Sequence, residues 1–169
     1  MTNPTVRELR TKVDAAWANL TRQLDGIEPY LERGDEPGEW TTRQVLAHLL
    51  FDPGWDATAT LKKFAARDVP TLDLKPGETY LTAERRRMTL GQLVDALDAQ
   101  RRAVFAYVEP LPEAELQERK VRIPALRPFL GVEEVPIAMY VGVFFDGHWN
   151  NHAGQLAKIR KAVGLPDAK

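Results

Sequence analysis

The chain has 169 residues, of which 44% are hydrophobic and 28% charged, with a formal net charge of -1. That balance describes one globular domain over residues 1–169 with enough chain to bury a core, and excludes a disordered polymer. The near-zero charge lacks the basic footprint of a nucleic-acid binder, and with no cysteine there is no thiolate metal site, disulfide or cysteine nucleophile.

No apolar run reaches the roughly 18 residues that a membrane span needs. The N-terminal stretch MTNPTVRELRTKVDAAW is charged throughout and lacks the apolar region of a secretory signal. A cytoplasmic protein with no membrane partner is the expectation.

The first predicted helix runs from about Thr5 to Leu31. Val6, Leu9, Val13, Ala16, Trp17, Leu20, Leu24 and Ile27 recur at three- and four-residue spacing. Gly34, Pro37 and Gly38 end it. The second starts at Thr41, an N-cap with Gln44 three residues on, which is a capping box. Trp40 and Val45 suit a hydrophobic staple across that cap. Pro53-Gly54 then interrupts the pattern. Either the helix kinks there, or Asp52 caps a second segment, with Pro53 at its first position, running to about Ala66.

Residues 67–88 read as a long connection with Pro70, Pro76 and Gly77. Within it, Arg85-Arg86-Arg87 beside Glu84 reads as a solvated helix end or loop rather than a phosphate site. The third helix begins at Thr89 with Gln92 three later and closes at Glu109-Pro110. Residues 110–135 hold four prolines, which forbid one long helix; a helical turn at PEAEL and an extended piece at KVRIP fit. The fourth helix runs from near Pro136 to about Val163, with Gly164 and Pro166 as stop signals and Lys158, Arg160 and Lys161 complementing its dipole. Four long helices without convincing strand alternation predict an all-α four-helix bundle. Long connections join helices two to three and three to four, and such connections usually build or cover a site.

The chain has three histidines. On the fourth helix Ile137, Val141, Phe144, His148, His152, Gln155 and Ile159 share one seam, so the two imidazoles project one turn apart from one face. On the second helix His48 shares the apolar stripe of Val45 and Leu49. A lone inward histidine is usually a core residue with a hydrogen-bond partner. Three on facing walls are costly unless one metal satisfies them together. Neutral imidazoles suit zinc, nickel, iron or copper and disfavour magnesium and calcium; three ligands leave a coordination position open, as in catalytic sites. Asp52, four residues after His48, is either a fourth ligand or outer partner of that metal, or simply an N-cap before Pro53. Trp55 and Trp149 line the pocket or belong to the core. Asp146 and Asn151 fall off the seam. No catalytic residue beyond the metal ligands is identifiable.

Two segments carry a resemblance. WTTRQVLAHL, with His48, and HWNNHAGQLAKIRKAVGLP, which looks like a closing H-x-x-x-H-x-G-Q-[IL] signature, resemble the DinB-like superfamily of bacterial metal-binding helical bundles. The resemblance is specific over these two segments and extends over nearly the whole chain in length and helix order. It implies an up-down-down-up bundle with a long crossover between helices two and three. It also implies a divalent metal, zinc, nickel or iron, on His48, His148 and His152, and a homodimer. Relatives include thiol-dependent S-transferases, isomerases and toxin-resistance proteins.

Two functions follow. One is a metal-dependent enzyme, an S-transferase or hydrolase, activating a low-molecular-weight thiol cosubstrate or a water for attack on a small electrophile. The alternative is a non-catalytic module that binds or sequesters a small molecule or toxin. In a blander reading the metal only staples the bundle, with Asp52 blocking the open position.

Overall fold

The computed structural model describes residues 3–169. Helix α1 (Pro4–Arg22) opens on Asn3, whose side chain accepts from the Val6 amide at 2.8 Å, and buries Val6, Leu9, Val13, Ala16 and Leu20. It stops at Arg22 rather than Leu31. Gly26 lies in the left-handed region with φ of 69°, and a single 3₁₀ turn follows at Glu28–Tyr30, built around Pro29, which has no N–H to donate. Leu24, Ile27 and Leu31 are nonetheless buried, so the apolar spacing reported burial and not helix.

Helix α2 (Thr42–Leu49) has the predicted capping box: Gln44 N donates to Thr41 Oγ1 at 3.2 Å, and Thr41 N to Gln44 Oε1 at 2.8 Å. The Pro53-Gly54 interruption is a turn. Asp52 does not cap the next segment: its Oδ1 accepts from Gly54 N at 2.9 Å, which closes the turn, and Asp56 caps α3 (Ala57–Lys63) instead. The 67–88 connection contains α4 (Ala83–Arg87), capped by Thr82.

Helix α5 (Leu90–Val108) starts at the second capping box, Thr89 with Gln92. Helix α6 (Glu113–Glu118) is the expected turn after Pro112. The extended piece is β1 (Lys120–Arg122), paired antiparallel with β2 (Glu134–Pro136) and with buried Val121 opposite buried Val135. Between these strands lies α7 (Arg127–Leu130), ended by Gly131 with φ of 72°. The last wall is α8 (Ile137–Gly142), a π-helical turn at Val143–Gly147, and α9 (His148–Ala162).

These elements form an all-α four-helix bundle in up-down-down-up order. Its walls are α1, α2 with α3, α5, and α8 with α9. Helix α1 packs on α5, α8 and α9, while α2 packs on α5 and α9. Leu20, Leu46, Leu97, Phe105 and Trp149 fill the middle with no solvent exposure above 1%. Arg160 is buried there too, beyond a dipole role: it donates to the carbonyls of Gln23, Asp25 and Pro166, tying the turn after α1 to the chain end.

Candidate metal centre

Two elements aim the histidines. The capping box fixes the start of α2, and His48 lies in its last turn on the side facing α9. The π-helical turn ends at His148, whose amide donates to the Val143 carbonyl five residues back. Such a widened turn changes the phase of a helix, and it is common where a helix aims a functional side chain. His152 follows one α-helical turn later.

The three Nε2 atoms meet. His148 Nε2 lies 2.9 Å from His48 Nε2 and 3.1 Å from His152 Nε2. The outer nitrogens are held: His48 Nδ1 donates to the Glu78 carbonyl at 2.6 Å, and His152 Nδ1 to Gln155 Oε1 at 2.8 Å. Both acceptors are oxygens, so these two rings carry their proton on Nδ1 and present a lone pair at Nε2. A hydrogen on His148 Nε2 would serve those two lone pairs with one donor. His148 Nδ1 is itself buried and without a hydrogen-bond partner among the described residues.

Burial keeps all three rings neutral. It lowers His48 below the ordinary range, against the Glu78 carbonyl, which favours the charged form. It lowers His148 to about 3, helped by repulsion from His152 and His48, and His152 to about 4. Three neutral imidazoles with converging lone pairs are the donor set of a borderline transition metal, with the Glu78 carbonyl and Gln155 fixing two ring orientations. One ring nitrogen from each histidine, all within 4.8 Å of one another, could hold one ion.

Aromatic rings surround the cluster. Trp40 lies 4.9 Å from the His48 ring and stacks on His152 at 6.2 Å, so it faces the site. Tyr80 stacks on His48 at 6.2 Å, and Phe51 sits 6.2 Å from His148. A cavity of about 560 Å³ opens above the rings, and the 74–80 loop and residues 125–130 complete its walls. Both long connections therefore build the site. Among the described residues no aspartate or glutamate lines this cavity. Burial, then the nearby charges of Asp52 and Glu78, push the Tyr80 phenol up, so it stays protonated at neutral pH and is no base.

Arg85 pins these walls. It is half-buried, unlike exposed Arg86 and Arg87, so the solvated reading fails for this one residue of the three. Its Nη1 donates to the carbonyls of Phe51 at 2.5 Å, Tyr80 at 3.0 Å and Ala47 at 3.1 Å. Phe51 and Tyr80 are two of the three non-glycine residues with positive φ among the described residues, at 60° and 51°. Their strained backbones swing both rings onto the histidines, and one guanidinium holds both.

Asp52 is exposed, bonded to its own turn, and not part of the histidine cluster. Trp149 is fully buried against Trp17 and Phe145, and Trp55 packs on Phe51 away from the cavity, so both belong to the core side. Asp146 accepts from Asn150. Asn151 does border the cavity, because its neighbours His148 and His152 lie at the cavity floor and the wall extends beyond their seam. Gln155, one turn past His152, shares the seam in sequence. Glu78 acts through its backbone, which no side-chain pattern reveals.

No family model and no curated protein matches the chain. Among solved structures, YfiT from Bacillus subtilis, described as a probable metal-dependent hydrolase with an unusual four-helix bundle topology, is similar with a TM-score of 0.62. The likeness covers 95% of this chain and 90% of YfiT at 16% identity, and at that identity it is a likeness of fold.

Proposed function

We propose that the chain is a DinB-like protein whose His48, His148 and His152 hold one divalent transition metal, and that it is a metal-dependent enzyme acting on a small electrophile. The observation that carries this reading is the convergence of three neutral Nε2 atoms at the floor of an apolar cavity. The two segments resembling the DinB-like superfamily and the fold shared with a protein described as a probable metal-dependent hydrolase support it.

A zinc, nickel or iron ion held there supplies Lewis acidity that lowers the pKa of a water or thiol in its open position. The chain's own groups do the rest. The Glu78 carbonyl and Gln155 keep two imidazoles in the ligating tautomer. Trp40, Phe51 and Phe144 keep bulk water off the reacting atoms and raise the strength of every charge there. With no carboxylate on the wall among the described residues, the nucleophile's proton leaves to solvent rather than to a positioned base. That favours a nucleophile acidic enough to ionise once coordinated, a low-molecular-weight thiol before water. The cosubstrate thiol comes from outside, since the chain has no cysteine. The homodimer enters this reading through the resemblance, and the cytoplasmic location through the charged N-terminal stretch and the lack of a membrane-length apolar run.

The second reading, binding without chemistry, is favoured by that same missing base. Purified protein loaded with zinc or nickel, offered small electrophiles with cellular thiols or with water, separates the two. Turnover lost in His148→Ala supports the enzyme. An unmodified compound recovered from the cavity, with no product under any condition, overturns it.

A further inference from the structure

The cavity above the histidines is chemically lopsided. Apolar residues make most of its wall, Trp40, Phe51, Leu74, Leu126, Phe129 and Phe144 among them. With the three histidines neutral, Lys75 is the one charged side chain that lines it, and no acid does, among the described residues. Lys75 is exposed on the 74–80 loop, and no carboxylate pairs with it among the described residues.

We infer that the cavity takes a small organic monoanion with an apolar body, its carboxylate-type group meeting Lys75; this rests on the reading that the cavity is the substrate site. Three neutral ligands leave a bound dication's charge uncancelled, and Lys75 adds to it. Apolar walls weaken screening, so these two positive charges act on the cavity's contents more strongly than the carboxylates of Asp52 and Glu78, which lie near Tyr80 and do not line the wall. A cationic compound finds no acidic side chain on the wall among the described residues. A wholly polar one would strand its groups against the aromatic wall. The volume, about 560 Å³, suits a ring or branched chain of ordinary metabolite size. Phe129, 76% exposed, and Leu130, 41% exposed, carry the apolar surface from the cavity wall outward, so a longer body gains contact beyond the mouth.

The test uses the full chain, zinc-loaded and metal-free, with phenylbutyrate, phenylbutanol and phenylbutylamine as probes of one shape and three charges. Binding is read by calorimetry, and zinc content by elemental analysis. The anion binds tightest and the amine weakest. Lys75→Gln weakens phenylbutyrate about tenfold, the scale of one lost charge-assisted contact, and leaves phenylbutanol unchanged in both metal states. Affinity also rises from phenylacetate to phenylbutyrate as more apolar surface is covered. An amine bound as well as the anion, a Lys75→Gln effect that is nil or equal on anion and alcohol, or no gain with chain length overturns the inference. A chain that takes up no zinc sinks the metal reading instead, and the metal-free comparison still decides the role of Lys75.

Discussion

Arg85 donates from Nη1 to the carbonyl of Phe51, a residue held at φ of 60° beside the His148 ring. The same nitrogen reaches the carbonyl of Tyr80, whose ring stacks on His48. Replacing Arg85 with methionine keeps much of the packing and strips the Phe51 carbonyl of its donor, while the Tyr80 carbonyl keeps only the Thr82 amide. We expect a loss of about 1–3 kcal/mol in urea unfolding, the cost of leaving such acceptors unserved. Zinc affinity falls with it, because the Glu78 carbonyl and His48 sit on the two segments that are released. Arg85→Lys restores little, since an ammonium cannot reproduce the fixed fork of a guanidinium. Full stability and unchanged zinc binding in Arg85→Met would show that the turns hold themselves.

Metal content sorts the polar residues around the site. His48→Ala, His148→Ala and His152→Ala each leave the purified protein with little zinc or nickel by elemental analysis. Gln155→Leu keeps all three ligands but frees the Nδ1 that Gln155 now fixes, so affinity drops about 10- to 100-fold, as for other outer partners of metal-bound histidines. Asp52→Ala leaves metal content unchanged, because the Asp52 carboxylate bonds Gly54 and stands outside the cluster. Loss of metal in Asp52→Ala would restore that residue to the centre.

Much of this centre was legible in the sequence, and the parts that were not share a cause. The spacing of His148 and His152 and the capping box before His48 are local signals, and local signals survive folding. The four-helix architecture followed from apolar periodicity in the same way. The end of α1 was misplaced because Leu24, Ile27 and Leu31 stay buried in a turn, and periodicity reads burial. Of the two readings at Pro53-Gly54, the Asp52 cap fails because Asp56, four residues on, caps the next helix instead. Arg85, Glu78 and Lys75 reach the site only through the fold of the 67–88 connection. Their roles rest on backbone carbonyls and loop positions, which carry no residue code.

Acid should unfold the metal-free protein from an unusually high pH. His148 and His152 titrate near 3 and 4 when folded, and His48 is also lowered. Unfolded, all three titrate near 6.5. Between those values the unfolded chain binds more protons than the native one, so stability falls as pH falls. The window opens at about pH 6.5 and closes as the folded rings protonate, with a slope of up to about 1.4 kcal/mol per pH unit for each histidine. Above about pH 8 the three contribute almost no slope. Thermal melts of metal-free protein at stepped pH check this, and a His148→Ala variant shows a shallower decline. Identical pH profiles in the two proteins would mean the ring of His148 is not buried neutral.

Removing the metal should loosen the bundle without unfolding it. Helix α1 and helix α5 supply no ligand, yet they carry much of the core, including Val13, Leu20, Leu97 and Phe105, all at most 1% exposed. A core of that kind does not need a staple in a chain of this length. Binding to the native state alone adds about 2.7 kcal/mol at a metal concentration 100 times Kd. For a domain of this size that is a Tm rise of about 5–10 °C over chelated protein. Far-ultraviolet circular dichroism of the chelated chain keeps its helical signal, while near-ultraviolet bands from Trp40 beside His48 and His152 change. Collapse of the helical signal on chelation would support the reading in which the metal is structural. Retention of both signals and of Tm would mean that no metal occupied the three histidines to begin with.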